Sequence, residues 1–135
     1  MRLVLPLFAV SMFGLCNPAF AGQTINLANL VPVPAMIKNT GTQPILCQAE
    51  IAHWFATDLA SVGPQTSASL DLRFDPGTGA WAVINSRGEA LPVERVWCGI
   101  KGRTYETRQT LRLDRKLPES IDLDCRAETS GLVCQ

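Results

Sequence analysis

The stretch ILCQAEIAHWFATDL, Ile45 to Leu59, holds the only histidine of a 135-residue chain, His53, six residues after Cys47 and beside Trp54. Cysteine and imidazole are the commonest ligands of zinc and copper, but one ion needs its donor atoms within a few ångströms of each other. On an extended strand six residues span about 20 Å, and on a helix, at about 100° per step, they end on different sides. Zinc also wants three or four ligands at short spacings, whereas the cysteines here stand as C-x50-C and C-x8-C. A set of His53, Met36 and a free cysteine suits Cu(I), which prefers soft donors, so a soft-metal carrier stands as one alternative. The simpler reading puts the cysteines in disulfides and makes His53 a structural or interface residue.

Other chemistries fare worse. A Ser-His-Asp hydrolase would have to use His53, and no serine sits in a G-x-S-x-G elbow. No C-x-x-C offers an exposed low-pKa thiolate for disulfide exchange. No catalytic residue and no cofactor are therefore expected, and the chain reads as a non-enzyme.

The first 21 residues, MRLVLPLFAVSMFGLCNPAFA, carry one charge at Arg2, an apolar run from Leu3 to Leu15 and the small-x-small ending Ala19-Phe20-Ala21. That is the layout of a secretory signal peptide, with a run too short for the roughly 20 residues of a membrane span. Cleavage after Ala21 leaves 114 residues, 22–135, enough for one small domain. Arg2 leaves with the signal, so 11 basic residues face 12 acidic ones and the net charge is −1. That balance gives no general attraction to nucleic acid or anionic lipid, and no stable membrane insertion is expected. No N-x-S/T sequon occurs after Ala21, which favours a bacterial periplasm.

Cys16 goes with the signal, leaving Cys47, Cys98, Cys125 and Cys134, an even count that reads as two disulfides in an exported small domain. Of three pairings, Cys47 with Cys98 and Cys125 with Cys134 are expected.

These residues need elements to position them. Pro32 and Pro34 force an extended start that suits an edge strand. For Ile45 to Leu59 two periodicities compete. At spacing two, Ile45, Cys47, Ala49, Ile51, His53 and Phe55 share a face opposite Gln48 and Glu50. At helical spacing Ile45, Ala49, Ala52, Phe55 and Leu59 align, and the strand is preferred. SASLDLRFD and AWAVIN flank the turn DPGTG as a hairpin, and ALPVERVWCGI is a strand with Pro92 at an edge or bulge. RTYETRQTLRLDR alternates as a further strand, and the segment after Pro118 reads as a polar, turn-rich tail closed by its own disulfide. IKNTGTQPILCQAEIAHW followed by GPQTSASLDLRF resembles exported immunoglobulin-like domains. The expected architecture is thus all-β: a single antiparallel, immunoglobulin-like β-sandwich stapled by two disulfides.

On that register Trp54 faces outward with Gln48 and Glu50, and a large aromatic ring at such a position suits partner contact. Trp81 and Trp97 read as core. Lys101, Arg103, Arg108 and Arg112 form a basic stripe whose Arg108 and Arg112 add to the expected partner surface. The function read from these features is an exported binding or assembly module for another envelope or secreted protein. The alternatives are the copper carrier and an inhibitor of an external enzyme, inserting DPGTG or TSGLVCQ.

Overall fold

The computed structural model describes residues 25–52 and 55–135. The expected signal segment, His53 and Trp54 lie outside the described residues. After a 3-10 turn at Leu27–Asn29 the described residues form eleven strands: β1 (Val31–Val33), β2 (Ala35–Asn39), β3 (Ile45–Ile51), β4 (Phe55–Val62), β5 (Ser67–Ser69), β6 (Leu72–Asp75), β7 (Ala80–Ile84), β8 (Ala90–Ile100), β9 (Gln109–Leu111), β10 (Ile121–Glu128) and β11 (Gly131–Cys134). One sheet runs β1-β6-β7-β8-β3-β4, with β9 also on β8, and a four-stranded sheet runs β11-β10-β2-β5. Every pair is antiparallel except β2 with β10, which is parallel.

Strict alternation builds the core between these sheets. Along β3 the residues Ile45, Cys47, Ala49 and Ile51 are buried while Leu46, Gln48 and Glu50 are half-buried on the other side. Leu70, Leu72 and Phe74 point inward as their spacing predicts. The run that looks like one strand divides at Leu70-Asp71, because β5 belongs to the smaller sheet and β6 to the larger. Phe74 meets Trp81 edge-on at 5.1 Å across the β6–β7 pair, and Trp81 Nε1 donates to the Asp114 carbonyl. In the DPGTG turn, Asp75 Oδ1 accepts from the Gly77 and Thr78 amides, and Gly79 takes a left-handed φ of 74°. Pro32 lies on edge strand β1, where its missing N–H costs no ladder bond and blunts the edge.

Both disulfides form with the expected pairing, Cys47–Cys98 and Cys125–Cys134. Each joins directly opposed residues of neighbouring strands, β3 with β8 and β10 with β11. An immunoglobulin domain instead bridges its two sheets, so the staples here hold pairs of strands within a sheet.

Three expectations change. The stretch Ile45 to Leu59 is two strands, because Ile51 pairs with Phe55 and Ala52 takes φ 47°; Phe55 is 54% exposed rather than sharing the face of Cys47. The segment from Arg103 is mostly turn, and only Gln109–Leu111 pairs as a strand. Gly102, at φ 90°, and hydrogen bonds through Thr107 hold it off the sheet ladder. The tail is sheet: IDLDCRAE alternates, β10 lies between β2 and β11, and Cys125 and Leu132 are buried.

Asn39 ties the sheets together. It is fully buried; its Nδ2 donates to the Gln43 and Val62 carbonyls, and its Oδ1 accepts from the Gly41 amide. Asn39→Ala strands those partners in the interior and is expected to cost about 2 kcal/mol, read as a lower urea midpoint. A change below about 0.5 kcal/mol would show that water replaces the amide freely.

Candidate functional site

The outward face of β3, β8 and β9 carries most of the polar and aromatic side chains singled out in the sequence. Cross-strand register sets Gln48 opposite Trp97 and Trp97 opposite Thr110, with Glu50 opposite Arg95. A bulge places Glu94 as an extra residue between Val93, which pairs with Ile51, and Arg95, which pairs with Glu50. Glu94 and Arg95 are consequently both exposed, while Val93 and Val96 stay buried. Arg95 Nε donates to Glu50 Oε2, and this hydrogen bond and the charge behind it hold the guanidinium above its ordinary pKa. Gln48 Nε2 donates to Asp58 Oδ1 on β4 at 2.7 Å.

The five residues from Val96 to Ile100 are buried without alternation. Val96, Cys98 and Ile100 take the core side, so Trp97 and Gly99 are covered from outside. The cover is the segment after β8. A Cβ at Gly99 would lie 2.1 Å from the Thr104 carbonyl oxygen, so only glycine admits this backbone. The segment is pinned by Lys101 N donating to the Pro44 carbonyl, Arg103 N to Ile100, Thr107 N to Arg103 and Leu132 N to Thr107. The Thr107 hydroxyl donates to the Arg103 carbonyl and accepts from the Ile100 amide, each at 2.8 Å.

This frame presents a stack of three side chains. Trp97, 6% exposed, lies edge-to-face with Tyr105 at 6.2 Å; Tyr105 is 66% exposed, and the Arg108 guanidinium carbon lies 3.8 Å from its ring centroid. Arg108 Nη1 also donates to the Tyr105 carbonyl. The indole Nε1 of Trp97 is buried and has no hydrogen-bond acceptor among the described residues, an expensive state for a donor that ordinarily finds one.

Of the residues expected to meet a partner, Gln48 and Glu50 lie on this face, and Arg108 shares a concavity with Glu50. Arg112 does not join them: it pairs with Asp114 and lines a separate cleft beside Trp81 and Lys116. Trp54 lies outside the described residues. Arg95, Trp97 and Tyr105 were not expected here. Only Trp97 has a signal, the unbroken run VWCGI, since a strand buried on both faces needs a second covering layer.

Met36, the second soft donor considered with His53, is 40% exposed on β2 and lines a cleft of about 350 Å³ with Val33, Leu70, Asp71 and Asp122. Among the described residues all four cysteines are disulfide-bonded, so none of these is a thiolate ligand. No helix among the described residues is long and apolar enough to cross a membrane. Comparison with protein-family models finds no match, and comparison with curated protein sequences finds none either.

Proposed function

We propose that the protein is an exported, non-enzymatic binding or assembly module for another envelope or secreted protein, and that it meets this partner on the outward face of β3, β8 and β9. Two disulfides fit an oxidising compartment, and the signal-like first 21 residues fit a periplasmic or secreted location. The observation that carries the reading is the stack of Arg108, Tyr105 and Trp97 on a pinned segment. A large aromatic ring carried on a pinned backbone and left two-thirds exposed buries a large area on binding, the profile of an interface anchor. Gln48 and Glu50 supply polar contacts beside it.

Affinity capture from envelope extract, with a photo-crosslinker in place of Gln48, tests the reading. A defined protein partner is expected with the wild type, and Tyr105→Ala is expected to weaken capture about tenfold or more while the unfolding midpoint barely moves. Trp54→Ala carries the same expectation. Equal capture by wild type and Tyr105→Ala would assign the partner to another surface. The soft-metal alternative has lost the cysteine it required and keeps only His53 and Met36; stoichiometric copper that disappears with His53→Ala would restore it. The inhibitor alternative keeps the DPGTG turn between β6 and β7 as its inserting loop, whereas most of TSGLVCQ is strand β11, paired with β10.

A further inference from the structure

The stack on this face covers a small concave site of about 90 Å³, lined by Glu50, Arg95, Trp97, Tyr105, Arg108 and Thr110. Its volume is about three times the share of one liquid water, room for a carboxylate and its methylene. Two guanidinium groups and one carboxylate give the site a net charge of +1. The Arg95 fork is engaged by Glu50. Arg108 is different: its partners are a backbone carbonyl and the Tyr105 ring, and no carboxylate pairs with it among the described residues. Trp97 lines the same concavity, and its indole N–H is buried without an acceptor among the described residues. A guanidinium short of an anion and a buried donor short of an acceptor, on two residues that line one concavity, ask for the same group.

We propose that this site receives a carboxylate from the partner, either an acidic side chain or a chain terminus. The inference rests on the reading of this face as the partner-binding surface. One carboxylate oxygen takes the indole N–H and the other meets the Arg108 fork, a charge-assisted pair stronger than a neutral hydrogen bond. The Glu50 charge disfavours a dianion such as phosphate and keeps the preference for a single negative charge. Tyr105 is the cover: its backbone is pinned, its ring meets Trp97 edge-on near the long end of the range for such pairs, and a turn of that exposed ring about its own side-chain bonds opens the N–H.

The test follows the Trp97 indole resonance of the ¹⁵N-labelled protein, assigned with Trp97→Phe. Sodium acetate is the probe, acetamide its neutral control, and chloride at matched ionic strength the screen. Acetate is expected to shift the resonance saturably while acetamide and chloride do not. Arg108→Gln should weaken the response about tenfold, and Glu50→Gln should strengthen it several-fold by freeing Arg95 and removing a like charge. Short peptides with a free or amidated C-terminus, and with internal Glu or Gln, then distinguish a terminus from a side chain. Equal shifts with acetate and acetamide, no shift at all, or weaker acetate binding by Glu50→Gln would overturn the proposal. Partner capture that persists unchanged in Arg108→Gln would sink the carboxylate while leaving the binding module standing; acetate binding with no partner captured would do the reverse.

Discussion

Replacing Cys47 and Cys98 together by alanine is expected to lower unfolding free energy by about 4 kcal/mol, because the bridge closes a loop of 51 residues in the unfolded chain. A domain of this size has roughly 5–15 kcal/mol in total, so the variant sits close to the unfolding threshold at 37 °C. Both sulfurs are fully buried in the core between β3 and β8, and the small cavities left by alanine add to the loss rather than offset it. The matching change at Cys125 and Cys134 closes a separation of only 9 residues and is expected to cost between about 2 and 3 kcal/mol. Urea unfolding of the two double variants measures the difference directly. The unfolded chain expands when a cross-link goes, so the slope should rise as the midpoint falls, most for the longer loop. Equal losses, or a loss under about 1 kcal/mol for Cys47 and Cys98, would mean that the strand pairs hold without their staples.

The part of this architecture that was legible in the sequence is the part set by local physics. An even cysteine count after a signal-like segment reads as disulfides, and here the pairing also came out, since each cysteine faces its partner on the adjacent strand. Alternation placed Leu70, Leu72 and Phe74 inside and Gln48 and Glu50 outside. What failed was continuity. A period of two says which residues share a face and is silent on where the chain stops pairing. The reversal after Ile51 and the change of sheet at Leu70-Asp71 therefore went unseen, the first for want of a Gly or Pro in the run. RTYETRQTLRLDR alternates as well as any strand but outside Gln109–Leu111 it is mostly a pinned turn, because Thr107 offers its backbone other hydrogen bonds and Gly99 lets it lie close over the sheet. IDLDCRAE reads as polar tail because of its charge, though acidic residues on the solvent side of β10 are what an alternating half-buried strand should carry. For the candidate site, Gln48, Glu50 and Arg108 were within reach of pattern. Arg95 and Tyr105 were not, since they meet only through a bulge and a loop that folds back over the sheet.

Gly99→Ala puts this folding-back to the test, with an expected loss of about 3 kcal/mol and the disappearance of the candidate site in the same step. The added Cβ would meet the Thr104 carbonyl oxygen at 2.1 Å and the Thr104 carbonyl carbon and Cα at 2.8 Å. These are backbone atoms, so no side-chain rotation relieves the contact, and either β8 or the covering segment must move. β8 cannot yield easily: at this point it is hydrogen-bonded to β3, and the Cys98 disulfide is one residue away. The segment yields instead, lifting against the amide bonds from Lys101, Arg103 and Leu132 that pin it. Trp97, buried only because this layer lies over the outward face, is then wetted. Its indole resonance should move toward the value of a solvent-exposed tryptophan, its N–H should exchange faster, and the acetate response should be lost even where the rest of the fold survives. Thr107→Val separates the two contributions, because it keeps the glycine and removes the hydroxyl that bridges the Ile100 amide and the Arg103 carbonyl. It is expected to loosen the segment and cost about 1–2 kcal/mol. A Gly99→Ala protein with unchanged stability and a still-buried Trp97 would show that the covering layer follows the strand rather than resisting it, and the frame argued to hold Tyr105 and Arg108 in place would lose its basis.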